Sequence, residues 1–291
     1  MSVGFVGLGA MGRPMTLHLL RAGHRLAVWS RRPASVEPLR AAGAEICATA
    51  AAVARQSTVT FTMLTADADL EQVVLGPDGL LAGWAAGSIL VDMGTMSPTL
   101  TRRLAQRLAQ AGVDMLDAPV SGGEQGAIDA TLAIMVGGRE SVLERVRPLL
   151  ARLGKTIVHI GDHGAGQVAK ACNQMIMVGA IQAVAEALHL SSAAGVDPRR
   201  VRQALSGGSA GSRVLDLMGR RMVDRDFTAG VEARLHHKDF HIVSDDAHRL
   251  AVPLPVSAPV AQQLNALVAK GWGNCDTSAL LCVLESAMGA K

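Results

Sequence analysis

Two sets of residues in this chain have types and spacings that suit chemistry. Near the N-terminus, Gly7-Leu8-Gly9-Ala10-Met11-Gly12 is a G-x-G-x-x-G run, directly after the apolar segment 3–6 and before a helical stretch through Leu20. In that context Gly7 makes a tight turn, Gly9 lets a pyrophosphate approach the backbone, and Gly12 lets the helix pack on the strand. The phosphates would rest on the helix N-terminus, where N–H groups and the macrodipole favour negative charge. Far along the chain, Lys170 stands in the apolar segment 164–194, and its neighbours three and four positions away, Gln167, Gly166, Asn173 and Gln174, are not acidic. A lysine on such a helix either carries its ammonium out to water or is held near a cavity to do chemistry.

Two further segments add to this. An NAD site usually ends its second strand on Asp or Glu, which accepts hydrogen bonds from the ribose 2′-hydroxyl. Here that end reads Val28-Trp29-Ser30-Arg31-Arg32. With no carboxylate, and with the planar donor fork of Arg31 beside Ser30, a 2′-phosphate fits better, so NADP is expected ahead of NAD. The other segment, Leu116-Asp117-Ala118-Pro119-Val120-Ser121-Gly122-Gly123, runs from a strand end into a polar glycine loop. Its N–H groups, at Gly122 and Gly123 among others, together with the Ser121 hydroxyl could cradle a carboxylate, although the same residues also make an ordinary turn. His237, His241 and Asp245 recur at four-residue spacing, which would stack three ligands on one helix face. Exposed histidines on a helix are common, and no metal is expected there.

The elements that must position these groups are legible from periodicity. Short β-rich runs at 3–6, 25–29, 58–63, 89–92, 115–117, 132–136 and 157–160 alternate with helical stretches. That alternation predicts a Rossmann-type, doubly wound α/β domain with a mainly parallel sheet. After residue 160 strand signals stop, and helices separated by Gly, Ser and Pro follow, with Asp197-Pro198 as a helix start. The expected organisation is a dinucleotide-binding domain at 1–163 and an all-α domain at 164–291, opened by the long helix 164–194.

Composition excludes several other classes. The 291 residues are 49% hydrophobic, enough for sizeable cores, while a net charge of +3 and 2% aromatics give neither a phosphate-tracking stripe nor a base-stacking platform. No nucleic-acid partner is expected. The sequence enters a strand almost at once without a basic-then-apolar leader, and no run is expected to reach the roughly 18 apolar residues that span a bilayer. A cytoplasmic protein without a membrane partner is expected, its four scattered cysteines reduced.

Taken together, the Gly7 to Gly12 turn, the loop from Asp117 to Gly123, the lysine helix beginning at Gly164, and Lys238-Asp239 resemble the β-hydroxyacid dehydrogenase family over essentially the whole chain. Within it the tartronate semialdehyde reductase branch is most similar, through Gly207-Gly208-Ser209-Ala210-Gly211-Ser212 and Asp276-Thr277-Ser278-Ala279-Leu280. The resemblance implies an NADP-dependent oxidoreductase, with NAD as the alternative cofactor, that reduces a small aldehyde acid to a hydroxyacid, tartronate semialdehyde to glycerate first among them. It makes Lys170 the proton donor and Asn173 and Gln174 binders of the substrate hydroxyl or carboxylate. Many relatives carry two asparagines where this chain has Asn173-Gln174, which leaves the substrate open. It also implies that Met63-Leu64 passes the nicotinamide side of the cofactor, that Thr95 sits by the nicotinamide ribose, and that Lys238 reaches the cofactor. A homodimer or homotetramer built through the helical half is expected. The alternatives are a 3-hydroxyisobutyrate-type dehydrogenase working oxidatively and a catalytically silent NADP-binding regulatory protein.

Overall fold

The structure, a computed structural model, describes residues 2–287. It divides into two compact units, the first ending at Lys170 and the second beginning at Ala171. The first unit runs β1 (Ser2–Val6), α1 (Gly12–Arg21), β2 (Arg25–Trp29), α2 (Glu37–Ala41), β3 (Glu45–Ile46), α3 (Ala50–Arg55), β4 (Val59–Thr62), α4 (Asp67–Leu75) and β5 (Ile89–Asp92). It continues with α5 (Pro98–Ala109), β6 (Asp114–Asp117), β7 (Val120–Ser121), α6 (Gly123–Ile128), β8 (Leu132–Gly137), α7 (Glu140–Leu150) and β9 (Gly154–Gly161).

The strands lie in the order β3-β2-β1-β4-β5-β6-β8-β7, with β9 also on β8. Strands β3 to β6 along this path are parallel. Order reverses between β1 and β4, the switch point outside whose carboxyl ends doubly wound sheets bind ligands. Strands β4 and β5 are buried along their whole length, as parallel strands covered on both faces must be. Alternate side chains go to opposite faces. Val3, Phe5, Phe61, Ile89 and Val91 join Met15 and Leu19 of α1 and Leu143 and Val146 of α7. Val6, Leu90 and Met115 join Leu70 and Val74 of α4 and Leu100 and Leu104 of α5 on the other face.

Two strands escape the periodicity because they are only two residues long: β3 and β7. Ser121, expected in an open loop, instead ends β7 opposite Ala133. The sheet is also less uniformly parallel at this side, since β8 runs antiparallel to both β6 and β7.

The second unit is built on α8 (Ala165–Ala193), which begins just before the division, followed by α9 (Pro198–Ser206), α10 (Arg220–Asp224), α11 (Ala233–Leu250), α12 (Ser257–Ala269) and α13 (Leu280–Ala287). Val178, Ile181, Ala185 and Leu188 recur along one stripe of α8 and pack with Phe240 of α11, Val260, Leu264 and Leu267 of α12, and Leu280, Leu281 and Val283 of α13. Asp197 caps α9 by accepting from the Arg199 N–H at 2.9 Å, with Pro198 in the first turn. Asp276 accepts from the Ser278 N–H at 2.9 Å and the Gly230 N–H at 3.3 Å. One expectation is corrected here: α8 is long and apolar enough, by length and composition, to cross a membrane. A core helix meets the same test, and this one carries the buried polar side chains Lys170, Gln174 and Gln182.

Candidate active site

The glycine turn follows β1 directly. Gly7 has φ of +96°, and a Cβ on it would lie 2.2 Å from the Met63 carbonyl oxygen. A Cβ on Gly12 would lie 1.9 Å from the Gly7 carbonyl oxygen, so helix and strand approach too closely for any other residue. At Gly9 a Cβ would meet nothing within 4 Å. Leu8 is buried and Ala10 exposed, while Met11, at the start of α1, supplies no side-chain cap and no acidic residue occupies the first turn. The turn is therefore rigid where it touches protein and open where a pyrophosphate would approach the helix N-terminus.

The carboxyl ends of β1, β4, β5 and β6 carry this edge onward. The Met63 N–H donates to the Val6 carbonyl at 2.9 Å, the Met93 N–H to the Thr62 carbonyl at 2.8 Å, and the Ala118 N–H to the Asp92 carbonyl at 2.6 Å. A Cβ on Gly94 would sit 2.5 Å from the Leu64 carbonyl oxygen, so the Met63-Leu64 segment lies against the turn that holds Thr95. Ser121, Gly122 and Gly123 follow β6 through the short β7 and lead into α6.

Two buried aspartates end these strands. Asp92 accepts from the Thr62 hydroxyl at 2.8 Å and the Gly94 N–H at 3.4 Å through Oδ1, while its Oδ2 has no hydrogen-bond partner among the described residues. Burial pushes its carboxyl up to about 7; the Thr62 and Gly94 donors oppose this, and the carboxylates of Asp117 and Asp67 add to it. Asp117 accepts from the Gly164 N–H at 2.8 Å through Oδ1 and the Gln167 N–H at 3.1 Å through Oδ2. Burial raises this carboxyl too, against the pull of those two donors. The close packing depends on glycine: a Cβ on Gly137 would fall 2.6 Å from both Asp117 carboxylate oxygens, and one on Gly166 2.9 Å from Oδ2.

Lys170 follows one turn after this anchored start and is 7% exposed, so it is not a solvated surface lysine. Asn173 and Gln174 come three and four residues later on the same helix. Within the second unit they belong to a polar chain: Asn173 Nδ2 donates to Gln174 Oε1 at 2.8 Å, Gln174 Nε2 donates to Asp239 Oδ2 at 2.5 Å, and Lys238 Nζ pairs with Asp239 Oδ1 at 2.9 Å. The expected residues thus fall into two groups, the turns and Lys170 in the first unit and Asn173, Gln174 and Lys238 in the second. His237 and His241 contact each other at 3.3 Å, and His237 reaches Asn265 at 2.8 Å. No group of three metal-ligating side chains occurs among the described residues.

At the end of β2, the Ser30 hydroxyl accepts from the Arg32 N–H at 3.2 Å, and Arg31 pairs with Asp69 at 2.9 Å. Asp69, on α4, carried no signal in the sequence, and Gln167, a residue only 1% exposed, entered there only as a non-acidic neighbour of Lys170. Gln167 lies within the segment 164–194, and its only signal was a polar residue three positions before Lys170 on an apolar helix.

Strand order, a glycine turn open at Gly9, and a buried lysine on a helix anchored at the strand ends define a dinucleotide-binding α/β oxidoreductase. The family model described as the NAD binding domain of 6-phosphogluconate dehydrogenase matches residues 2–161, and that described as NAD-binding of NADP-dependent 3-hydroxyisobutyrate dehydrogenase matches residues 164–284. The chain is similar to 2-hydroxy-3-oxopropionate reductase of Escherichia coli (strain K12), at 45% identity over 98% of this chain and 97% of that protein. It is also similar to 3-hydroxyisobutyrate dehydrogenase of Pseudomonas aeruginosa, at 37% identity over 92% of each. Among solved structures, the Mycobacterium tuberculosis 3-hydroxyisobutyrate dehydrogenase with L-serine superposes with a TM-score of 0.89 at 30% identity, covering 98% of this chain and 99% of that one. The chain belongs to the 3-hydroxyisobutyrate dehydrogenase-like β-hydroxyacid dehydrogenases and is an NAD(P)-dependent enzyme of that family.

The raised Asp92 carboxyl has a consequence for stability. The folded protein holds this proton up to about pH 7, whereas an unfolded chain releases it near pH 4, so the group weakens the fold progressively as pH rises between those values. The loss is at most about 1.4 kcal/mol per pH unit. Asp92→Asn removes it, so the Tm of the variant should gain on that of the parent from pH 5 to pH 8. A Tm difference that does not change with pH would show the carboxyl ionised throughout.

Proposed function

We propose that the enzyme reduces a small aldehyde acid to the hydroxyacid with NADPH, and that tartronate semialdehyde, giving glycerate, is the substrate. The similarity to the Escherichia coli reductase supports the choice of substrate. The observation that carries the reaction type is Lys170: a buried lysine on a helix whose first turn is bonded to the strand end at Asp117.

When bound, the reduced nicotinamide supplies hydride to the carbonyl carbon. The Lys170 ammonium donates a hydrogen bond to the carbonyl oxygen, polarises it, and transfers its proton as negative charge develops there. Water then restores that proton. In the oxidative direction the neutral amine takes the hydroxyl proton instead. The Ser121 hydroxyl and the N–H groups at Gly122 and Gly123 receive the substrate carboxylate. Asn173 and Gln174 hold the substrate's hydroxyl or carboxylate, with Gln174 fixed by Asp239. Gly7, Leu8, Gly9, Ala10, Met11 and Gly12 take the pyrophosphate, Met63, Leu64 and Thr95 the nicotinamide end, and Lys238 a further cofactor contact. Ser30 and Arg31 take the 2′-phosphate, which sets NADP ahead of NAD.

A second reading, oxidation of a 3-hydroxyisobutyrate-type acid, is favoured by the similarity to the Pseudomonas aeruginosa dehydrogenase. The protein is proposed to be cytoplasmic and a homodimer or homotetramer. Support for assembly comes from α8, where Val168, Cys172, Ile176, Ala183, Ala187 and Leu190 form an exposed stripe, with Ile176 76% and Leu190 70% exposed. Solvent-facing apolar stripes of this length mark association surfaces.

Four measurements test this. Purified enzyme should oxidise NADPH with tartronate semialdehyde faster than with methylmalonate semialdehyde, succinate semialdehyde or glyoxylate. Lys170→Ala should lower kcat by about 10²–10⁴-fold while retaining cofactor; a variant as fast as the parent removes the lysine from the mechanism. NADPH binding without turnover of any aldehyde or hydroxyacid would favour the silent regulatory reading. Arg31→Ala should raise the KM for NADPH about 10- to 100-fold and leave that for NADH nearly unchanged; equal effects on both would sink the 2′-phosphate assignment. By light scattering the parent should have two or four times the mass of the 30.2 kDa chain, and Ile176→Asp should shift it toward the monomer.

A further inference from the structure

Gln167 makes three hydrogen bonds inside the first unit. Its backbone N–H donates to Asp117 Oδ2 at 3.1 Å, its Nε2 donates to the Gly94 carbonyl at 2.9 Å, and its Oε1 accepts from the Met96 N–H at 3.0 Å. The two side-chain bonds straddle Thr95. A carboxamide presents a donor and an acceptor in one plane, which matches the Gly94 carbonyl and the Met96 N–H on the two sides of that residue. An ionised Glu has no donor to give, Asn is a methylene too short, and Met has neither group. The same turn is held on its far side by Asp92, whose Oδ1 accepts from the Gly94 N–H at 3.4 Å. Gln167 also precedes Lys170 by three residues, less than one turn of α8. One side chain therefore ties the turn at the end of β5 to the helix segment that carries the lysine.

We propose that Gln167 is a positioning residue: its amide fixes the spacing between the Thr95 turn and Lys170, and so the placement of the proton donor relative to the reacting carbonyl. The inference rests on the reading of Lys170 given above. Gln167 touches no reacting atom. It acts because hydride acceptance and protonation must occur on one bound molecule, and a displacement of the donor by about 1 Å costs on the order of 10²-fold in rate.

Gln167→Met keeps the length and apolar stem and loses both amide bonds. In the ligand-free protein, amide hydrogen exchange across residues 94–96 should become faster, because the Met96 N–H loses its acceptor. With NADPH and tartronate semialdehyde, or whichever aldehyde the parent turns over fastest, kcat should fall about 10- to 100-fold while the KM for NADPH stays within about threefold of the parent. The deciding comparison is the same substitution in a Lys170→Ala background, where kcat should fall by less than about twofold, since the lysine through which Gln167 acts is gone. Equal losses in both backgrounds, or unchanged exchange at residues 94–96, would overturn the proposal. A Lys170→Ala enzyme as fast as the parent would instead overturn the reading on which it rests. Should Gln167→Met fail to fold, Gln167→Glu decides: a neutral carboxylic acid restores one donor and one acceptor, so its rate relative to the parent should rise as pH falls, and a flat ratio counts against the amide clamp.

Discussion

A carboxylate taken out of water must be given donors, and Asp117 takes them from the first turn of α8. The N–H groups of Gly164 and Gln167 belong to the set a helix start leaves without internal acceptors, and both point at this side chain. Each need answers the other: the helix end gains an anion where its dipole favours one, and the buried charge gains two donors at about 1.5–3 kcal/mol each. The bond pair also fixes direction. It places the helix start at the carboxyl end of β6, beside the edge where β1, β4 and β5 end. Gly137 and Gly166 are consequences of this arrangement, because a methyl group on either would collide with the carboxylate or the backbone beside it.

The same logic explains the rest of the polar interior at this edge. Gln167 and Asp92 bond the turn around Thr95 from two sides, and Asp67 bonds the next residues by accepting from the Ser97 N–H at 3.0 Å and hydroxyl at 2.5 Å. Interior polar groups are costly unless satisfied, and nearly all of these are. The exception, Asp92 Oδ2, belongs to the group whose carboxyl burial pushes up to about 7. Structure here is bought in the backbone turns, which the side chains hold fixed, while the positions a ligand would approach, Gly9 above all, are left open.

What was legible in the sequence was local. Gly7, Gly9 and Gly12 fall within six residues; Gly7 and Gly12 meet the turn and packing requirements their spacing implied, while a Cβ on Gly9 would meet only open space. Long apolar runs gave β1, β4 and β5 and the core stripe of α8, since parallel strands and central helices must be continuous in hydrophobicity. The two-residue strands β3 and β7 were not legible, because alternation cannot be read over so short a span. The clamp on Thr95 was hidden for a different reason: Gln167 meets Gly94 and Met96 across more than 70 residues. Likewise the pairing of Arg31 with Asp69 was hidden, because that carboxylate lies on α4, 38 residues further along the chain.

That last pair bears on how a cofactor could be chosen. Arg31 is 67% exposed and Asp69 28% exposed, so their attraction is screened by water and contributes at most about 1 kcal/mol. A pair this weak orients the guanidinium fork without committing it. On the proposed reading, a 2′-phosphate carrying nearly two charges displaces a single carboxylate readily, while a 2′-hydroxyl does not. On that reading, selection of NADP would come from two features together: the absence of a carboxylate at Ser30, where an NAD site needs one, and a nearby carboxylate at Asp69 too weakly coupled to hold Arg31 against a phosphate.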